Sequence, residues 1–244
     1  MIRGFYTARS GLITHQDNMN VISNNMANVN TTGYKAIRSS FTDLMYQNLN
    51  RETAENTAQT GHGVKINKTD MLMQQGAFTP TQYPLDFAIT RENAFFAVQN
   101  AVEEVEYTRA GNFILSNDGD TFYLAAANGD RLLDADGGEI EIEFDGDQNP
   151  IIENNMIGVY TFPNQYGLTA LGNNRFAPGE LSGEAEALDP DDAPLPLQNG
   201  YLENSTVEIS NEMVKVIEAS KAFSFSARMV QVADEIEQTI NSLR

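Results

Sequence analysis

SNNMANVNTTGYK, residues 23–35, follows a stretch of helical period and decides where that helix ends. It contains four asparagines and two threonines, whose side chains compete for the hydrogen bonds of the backbone. Gly33 accepts a positive φ, a conformation common just beyond a helix C-terminus. The sequence therefore predicts that the helix stops near Val29 or Asn30 and that the chain turns sharply at Gly33.

Upstream of this stretch, eight positions recur at alternating gaps of three and four, the spacing of an a/d seam. They are Phe5, Ala8, Leu12, His15, Met19, Ile22, Met26 and Val29. We interpret His15 as a tolerated polar member of the seam. Gly4 and Gly11 each cost about 1 kcal/mol relative to alanine in a helix interior. A helix of this kind needs a partner surface to stay folded.

Downstream of the turn, Ser40 and Asp43 have the spacing of a weak capping box, which predicts a short helix from about Ser40 to Asn48. We expect residues 1–50 to form an N-terminal helical arm. Residues 51–63 are polar and end in Gly-His-Gly, which predicts a linker.

From residue 64 to about 178 the apolar pattern takes a period of two, which is typical of half-buried strands. In the clearest example, Ile140, Ile142 and Phe144 alternate with glutamates. Turn signals rich in Asp, Asn and Gly separate the candidate strands, so residues 64–178 predict an antiparallel β domain of hairpins. Residues 179–199 are rich in Gly, Pro and acidic side chains and predict an exposed loop.

The C-terminal region contains neither glycine nor proline from Tyr201 to Arg244, which favours one long helix. Ser205 and Glu208 match a capping box, so we expect the helix to begin near Thr206. Two apolar stripes follow. The first comprises Ile209, Met213, Val216, Phe223, Ala227 and Val230, and the second comprises Ile217, Phe225, Met229, Val232 and Ile236.

The predicted fold is mixed α and β: a mainly-β antiparallel central domain flanked by long N- and C-terminal helices that pair as a coiled-coil-like domain. The arm 1–50 is expected to pack with residues 200–244. One helix pair cannot bury both C-terminal stripes, so we expect neighbouring copies to cover the remainder and form a homopolymer. We also expect both arms to be largely unfolded in the free monomer. The predicted self-assembly seam comprises Phe5, Leu12, Met19, Ile22, Met26, Val29, Ile209, Met213, Val216, Phe223, Val230 and Ile236.

The composition narrows the functional classes. The net charge is −19, and residues 51–199 carry 25 acidic against 7 basic side chains, which would repel a phosphate backbone. Cysteine is absent, which excludes disulfides and Cys-type metal sites, and His15 and His62 are the only histidines. The acidic pairs Asp118/Asp120, Asp134/Asp136 and Asp145/Asp147 lack EF-hand spacing and are interpreted as turn chemistry. No catalytic residue, metal or cofactor is expected.

Two other functional classes remain open at this point. An enzyme would need a nucleophile–base pair or paired carboxylates in a pocket, whereas the acids here lie in turns and tryptophan is absent. A monomeric adhesin or binding module would pair its two helical ends within one chain. Dependence of helicity on concentration would distinguish a polymer subunit from such a monomer.

Three stretches, in order along the chain, resemble the flagellar rod and hook protein family. SNNMANVNTTGYK resembles its N-terminal signature. LDFAITRENAFFAVQ (85–99) with YTRAGNF (107–113) resembles its central motif, and QNGYLENSTVEISNEM (198–213) with DEIEQTINSL (234–243) its C-terminal motif. The matching positions are Asn24, Asn25, Ala27, Asn28, Thr32, Gly33, Tyr34, Lys35, Tyr107, Thr108, Arg109, Gly111, Gly200, Leu202, Glu203 and Ser205. Arg91, Asn93 and Ala94 replace family glycines, and Thr206 replaces an asparagine.

The resemblance implies a structural protein of the bacterial flagellar basal body, polymerised into the rod that carries torque to the hook. It implies export through the flagellar secretion channel, and the N-terminus lacks the apolar run of a cleaved signal peptide. FTDLMYQ (41–47) and GHGVKI (61–66) resemble distal rod members most, with proximal rod and short hook-type branches as alternatives. The implied partners are copies of the chain, neighbouring rod and hook proteins and the export apparatus. No membrane span and no nucleic acid are expected.

Overall fold

The computed structural model describes residues 2–48, 59–119, 121–144, 150–151, 154–188 and 195–243. The helices are α1 (Ile2–Ala27) and α2 (Ile209–Ser242). The strands are β1 (Ile37–Asp43), β2 (Tyr46–Asn48), β3 (Gln59–Gly61), β4 (Val64–Met71), β5 (Phe78–Pro80), β6 (Phe87–Ile89), β7 (Ala94–Gln99), β8 (Val105–Thr108), β9 (Phe113–Asp118), β10 (Thr121–Ala126), β11 (Arg131–Leu132), β12 (Glu143–Phe144), β13 (Pro150–Ile151), β14 (Val159–Thr161), β15 (Thr169–Gly172), β16 (Arg175–Ala177), β17 (Glu186–Ala187), β18 (Leu197–Asn199) and β19 (Tyr201–Glu203). The mixed α and β class is confirmed.

The chain divides into two compact units. The first unit comprises residues 1–27, 37–71 and 208–244, and the second comprises residues 28–36 and 72–207. Both terminal helices therefore belong to the first unit. The turn that follows α1 belongs to the second unit.

Helix α1 ends at Ala27, slightly before the predicted stop. The next residues form a turn in which the Thr31 amide donates to the Asn28 carbonyl at 3.2 Å. Gly33 has a φ of +67°, which confirms the predicted turn at this residue. A Cβ on Gly33 would lie 2.6 Å from the carbonyl carbon and oxygen of Arg109, so the position also excludes a side chain sterically.

The short helix predicted from Ser40 to Asn48 is wrong. Strand β1 pairs with β4 over its whole length, with a bulge between Ser40 and Phe41, and β2 pairs with β3. In these ladders the partner strand provides the backbone hydrogen bonds, of which the weak capping box would have provided only some. Pairing with a distant strand thus overrides the local preference for a helix. Strand β3, Gln59–Gly61, falls within the predicted linker 51–63, and residues 51–58 lie outside the described residues.

In the first unit, α1 and α2 pack against each other, and the residues covered on α2 include Ala219, which is buried, and Val216, Phe223 and Val230, which are half-buried. A Cβ on Gly11 would lie 3.2 Å from the Ser226 hydroxyl, so the two helices approach closely there. The Thr14 hydroxyl is buried and donates to the carbonyls of Ser10 and Val64. In α2, only Glu212 and Ala219 are buried among the described residues. Among the described residues, the larger apolar side chains of α2 are therefore at most half-buried within one chain.

Helix α2 begins at Ile209 rather than near Thr206, and Glu208 at the N-cap makes no side-chain capping bond. The predicted Ser205–Glu208 capping box is therefore wrong. The Thr206 amide donates to the Tyr34 carbonyl at 3.0 Å, and its hydroxyl accepts from the Ala36 amide at 2.9 Å. These bonds hold the chain extended at Thr206 and delay the helix.

The second unit is built on a nine-stranded antiparallel sheet with the path β15-β16-β8-β7-β11-β10-β9, to which β14 and β17 add. Strand β7 lies at its centre: β8 pairs along one edge, and β11 and β14 share the other. The core on one face comprises Phe87, Ile89, Ala94, Phe96, Val98, Phe113, Leu124, Leu132, Ile140, Ile142, Ile157 and Val159. Phe95 points the other way and packs edge-on against Phe162 and Phe176.

The predicted alternation at 139–144 is only partly confirmed. Ile140 and Ile142 are buried, but Phe144 is 38% exposed. The segment forms two isolated bridges, at Glu139 and Glu141, before the two-residue strand β12. Within the predicted exposed loop 179–199, β17 and β18 pair with other strands and Ser182 is fully buried, while residues 189–194 lie outside the described residues.

Gly33→Ala is expected to destabilise the second unit strongly, because it combines a left-handed φ with a clash against the Arg109 backbone. Gly129→Ala is the matched control, since Gly129 has a φ of +88° but open space around its Cβ position. We expect a loss of about 1–2 kcal/mol for the control and a clearly larger loss for Gly33→Ala. Urea unfolding followed by circular dichroism measures both, and equal losses would contradict the steric argument.

Candidate functional site

Three segments that are far apart in sequence meet within the second unit. They are residues 28–36, 107–111 and 198–206, which contain most of the motif positions named above. The Gly33 amide donates to the Glu203 carbonyl at 2.8 Å, and Asn174 donates its side-chain amide to the Thr32 carbonyl at 2.9 Å. The bond between Gly33 and Glu203 thus joins the backbones of the N-terminal and C-terminal motifs directly.

At this meeting point, three charged side chains form one buried cluster. Lys35 Nζ lies 2.6 Å from Glu203 Oε1, and Arg109 Nη1 lies 3.6 Å from Glu203 Oε2. The Gly76 amide donates to Glu203 Oε1 at 2.7 Å, and Lys35 Nζ also donates to the Gln74 carbonyl at 2.6 Å. All three charged residues are at most 2% exposed. The carboxylate of Glu203 therefore connects the two cations.

Arg109 is fixed from several sides. Its guanidinium donates to the carbonyls of Arg91 and Glu92 at 2.9 and 2.5 Å, and it lies over the Phe95 ring at 5.4 Å. The loop that supplies these carbonyls is where the sequence departs from the family glycines. None of its residues has a positive φ, so the turn does not require glycine.

Burial lowers the pKa of Lys35 and of Arg109, while the nearby Glu203 carboxylate opposes that effect in both cases. The cluster thus holds two cations against one carboxylate in a dry environment. Removing one member of a buried ion pair typically destabilises a protein strongly, because the remaining charge has no counter-charge. Glu203 is consequently the member whose loss matters most.

Other motif positions lie where the same three segments meet. A Cβ on Gly111 would collide with the Phe87 carbonyl, and Gly200 has a φ of +75° between β18 and β19. Tyr107 packs edge-on against Tyr160 and Phe162. The remaining positions have local roles. The Thr108 hydroxyl donates to the Asn174 carbonyl, and the Ser205 hydroxyl accepts from the Val207 amide. Leu202 lies in β19 opposite Thr79, the Asn28 carbonyl accepts from the Thr31 amide in the turn after α1, and Ala27 is the last residue of α1.

In the first unit, Asn25 fastens β1 to α1. Its side-chain amide donates to the Ile37 carbonyl at 2.8 Å, and its oxygen accepts from the Ile37 amide at 2.9 Å. The same amide lies 3.4 Å from the Glu212 carboxylate of α2, which also takes a 2.6 Å bond from Lys215. Asn24 and Tyr34 also belong to the N-terminal signature, and each of them makes interactions.

The predicted self-assembly positions differ in exposure within the single chain. On α1, Ile22 is buried, and Phe5, Leu12, Met19 and Met26 are half-buried; Val29, in the turn that follows α1, is also half-buried. On α2, Val216, Phe223 and Val230 are half-buried, whereas Ile209, Met213 and Ile236 are 47%, 54% and 42% exposed. Their role in assembly stays a prediction.

Ile217 of the second predicted stripe is 60% exposed, and the other four residues form an exposed apolar surface on α2, which we call the α2 stripe: Phe225, Met229, Val232 and Ile236. Their exposed fractions are 62%, 59%, 45% and 42%. The gaps are four, three and four, so the side chains share one face of the helix. Exposed apolar surfaces of this kind are typical of sites that contact a partner.

Comparison with known proteins agrees with these motifs. A family model described as flagella basal body rod protein matches residues 5–35, and one described as flagellar basal body rod FlgEFG protein C-terminal matches residues 198–243. The flagellar basal-body rod protein FlgG of Borreliella burgdorferi is 32% identical over 268 residues, covering 100% of this chain and 99% of the relative. The chain belongs to the flagellar basal-body rod protein family. FlgG of Bacillus subtilis is 31% identical over 268 residues, and the flagellar hook-basal body complex protein FlhP of Bacillus subtilis is 26% identical over 271 residues, each covering both chains in full.

In this rod-family member, the two matched regions are joined by the contacts just described. Lys35 lies in the first matched region and Glu203 in the second, with Arg109 between them in sequence. Sequence analysis did not find this cluster. A signal was present, because Lys35 is the one charged residue of SNNMANVNTTGYK, as Arg109 is of YTRAGNF and Glu203 is of QNGYLENS.

Other candidate sites gain no support within the described part of the chain. Among those residues, no group of three or more histidine or acidic side chains is placed to hold a metal ion. Asp118 pairs with Arg131 at 2.6 Å, and Asp134 accepts from the Ala135 amide at 2.5 Å, while Asp120, Asp145 and Asp147 lie outside the described residues. Neither described helix is apolar enough over a sufficient length to cross a membrane.

Glu203→Gln is expected to lower the free energy of unfolding of the second unit by about 3–5 kcal/mol, because both buried cations lose their counter-charge. Lys35→Met should cost less, since the Arg109–Glu203 pair remains. Tryptophan is absent, so near-ultraviolet circular dichroism of the tyrosines reports on this unit during urea unfolding.

The control is Glu180→Gln, which neutralises an exposed glutamate of the same unit and should change stability by less than about 0.5 kcal/mol. If Lys35→Met proved more damaging than Glu203→Gln, the assignment of Glu203 as the shared counter-charge would be wrong.

Proposed function

We propose that this chain is a structural subunit of the flagellar basal-body rod and that copies of it join into a homopolymer. The observation that carries the proposal is the α2 stripe, because a helix with a long uncovered apolar face needs a partner. The relatives that match over the full chain length are named as flagellar basal-body rod proteins. A structural, non-enzymatic role follows from this proposal.

The energetics favour assembly through the α2 stripe. Burying one large apolar side chain gains about 1.5–3 kcal/mol. Four such residues in helical register can therefore supply substantial association energy once copies meet. Within one chain, α1 and α2 approach closely at Gly11 and Ser226, and the four residues of the stripe remain exposed.

The finer form of the proposal concerns architecture. The terminal arms 1–50 and 200–244 pair as a coiled-coil-like unit whose seam packs between copies, and residues 64–178 form the antiparallel β domain. The polymer carries torque to the hook, contacts neighbouring rod and hook proteins, and is assembled after export by the flagellar apparatus. Full-length similarity to FlgG favours the distal rod over the proximal rod, and similarity to FlhP supports the hook-type alternative less strongly.

A monomeric adhesin is the competing class. It would also pair its helical ends within one chain, so the contact between α1 and α2 does not distinguish the two. The α2 stripe distinguishes them, because a chain that stays monomeric gains no stability from exposing Phe225 and Met229 to water on the same helix face as Val232 and Ile236. The acidic composition of residues 51–199 keeps those regions of neighbouring copies apart by repulsion, while the near-neutral ends can pack.

Deletion of the gene, followed by electron microscopy of isolated basal bodies, tests the biological role. We expect basal bodies that stop at a short rod and lack a hook, and the length of the stub distinguishes distal from proximal rod. Complete rods and hooks in the deletion strain would contradict the proposal, provided that no paralogue is present in the genome.

Phe225→Glu is expected to abolish polymer formation while leaving the monomer folded, because it places a charge in the middle of the α2 stripe. Gln231→Glu adds the same charge to an exposed residue of α2 outside the stripe and should assemble normally. Sedimentation over a range of concentrations measures assembly, and circular dichroism confirms folding. Normal assembly of Phe225→Glu would exclude the stripe as the contact.

Helicity should rise when the chain assembles. Because the single chain buries few apolar side chains between α1 and α2, we expect both helices to fray in dilute monomer and to gain order in the polymer. Far-ultraviolet circular dichroism of dilute and assembled protein measures the change. Equal helicity per residue in the two states would contradict this expectation and would favour the monomeric binding module.

A further inference from the structure

Three methionines are more than half exposed within the described part of the chain. Met45 is 85% exposed, Met213 is 54% exposed and Met229 is 59% exposed. The other described methionines are half-buried or buried: Met19, Met26, Met71, Met73 and Met156. Because oxidation of a side-chain sulfur depends on its exposure to the oxidant, the three exposed methionines are the ones that a peroxide in solution reaches first.

Met229 differs from the other two exposed methionines in its neighbours. It follows Phe225 by four residues and precedes Val232 by three, so it lies in the middle of the α2 stripe. A methionine thioether is apolar and adapts its shape to an opposing surface, which suits the contact between copies proposed above. A sulfoxide at the same position would place a polar oxygen among apolar side chains.

Hydrogen peroxide can supply that oxygen in one balanced step. A lone pair of the methionine sulfur attacks one peroxide oxygen, an S–O bond forms, and the O–O bond breaks. The departing hydroxide takes the proton of the new S–OH group and becomes water, so the sulfur is oxidised by two electrons and the peroxide is reduced. Two thiols reverse the change and yield the thioether, a disulfide and water. The chain has no cysteine that would compete for the peroxide.

We propose that Met229 is a reversible oxidation site that controls assembly: its sulfoxide keeps the chain out of the polymer, and reduction by thiols returns it. This inference rests on the proposed function and deepens it by naming a regulation of the α2 stripe. On burial, the sulfoxide oxygen loses its hydrogen bonds to water, and Phe225, Val232 and Ile236 have no side-chain donor to replace them. Once another copy covers the stripe, the same sulfur is shielded from peroxide.

The other two exposed methionines lie away from the stripe. Met213 precedes Met229 by 16 residues in α2, which places it about 160° around the helix axis. Met45 lies between β1 and β2. Because Met213 belongs to the predicted self-assembly seam, both are replaced by leucine in the chain used for the test. Leucine has a similar volume, remains apolar and contains no sulfur to oxidise.

The test compares two chains after the same treatment with hydrogen peroxide. The first carries Met45→Leu and Met213→Leu, and the second carries Met229→Leu in addition. Peptide mass spectrometry locates the added oxygen, and sedimentation measures the concentration needed for assembly. We expect oxidation of the first chain at Met229 to raise that concentration at least about tenfold, as for burial of one unpaired polar group. The second chain should change by less than about twofold.

Reversal and substitution give independent readouts. Methionine sulfoxide reductases acting on both sulfoxide epimers should restore assembly of the oxidised first chain to within about twofold. Met229→Gln places an amide in the stripe without any oxidant and should weaken assembly to a similar extent, whereas Met45→Gln should not. Circular dichroism checks that each variant and each oxidised chain is still folded. In polymer assembled before treatment, Met229 should be oxidised at least about tenfold more slowly than in dilute monomer.

The outcomes separate this inference from the proposed function. Normal assembly of a chain that mass spectrometry shows to be oxidised at Met229 overturns the inference and leaves the rod subunit proposal standing. An equal loss of assembly in the chain with Met229→Leu also overturns it, because another oxidised residue would then be responsible. Failure of the untreated chain to assemble at any concentration overturns both. Loss of assembly that requires Met229 and is reversed by the reductases supports the inference.

Discussion

Lys35, Arg109 and Glu203 bury three charges in one cluster, and the second unit depends on the balance among them. Two cations without a counter-charge would be too costly to bury, so Glu203 must be present for the segments around Lys35 and Arg109 to close. Gly33 permits that closure because its lack of a side chain lets the turn lie against the Arg109 backbone. One carboxylate and one glycine thereby couple the N-terminal turn, the centre of the sheet and the C-terminal strand.

The two units are stabilised in different ways. The second unit has a continuous apolar core on one face of β7 and an aromatic cluster around Phe95 on the other. The first unit joins its helices through small residues and through the polar contacts of Asn25 with Ile37 and Glu212. Its large apolar side chains remain available on α2. One chain therefore combines a well-packed unit with a sparsely packed helical unit. This combination suits a subunit whose helical unit would be stabilised further by contacts with neighbouring copies.

Periodicity predicted the elements whose pattern is set by their own burial. The heptad seam predicted α1, the absence of glycine and proline predicted α2, and the period of two predicted the hairpins of the sheet. Periodicity failed to predict the local structure where pairing with a distant segment determines it. Ser40 resembles a helix cap, but β4 pairs with its segment, and Ser205 resembles another, but Tyr34 and Ala36 hold Thr206 extended. Phe95 was missed because β7 is buried on both faces, so alternation does not mark it.

The buried cluster could not be predicted from spacing, because its members come from three separate motifs. Lys35 and Glu203 are 168 residues apart in sequence. Each is simply the lone charge of its own motif, and a single sequence does not show that the motifs meet. The same limit applies to Asn25, whose partners Ile37 and Glu212 lie on β1 and α2.

That separation has a consequence during synthesis. Until Glu203 has been synthesised, the growing chain lacks the carboxylate that closes the cluster, so the second unit cannot finish folding before that point. Contacts this distant in sequence also slow folding after release, because a large loop must close before they form. The second unit therefore reaches its final fold only after its C-terminal strand β19 has been made.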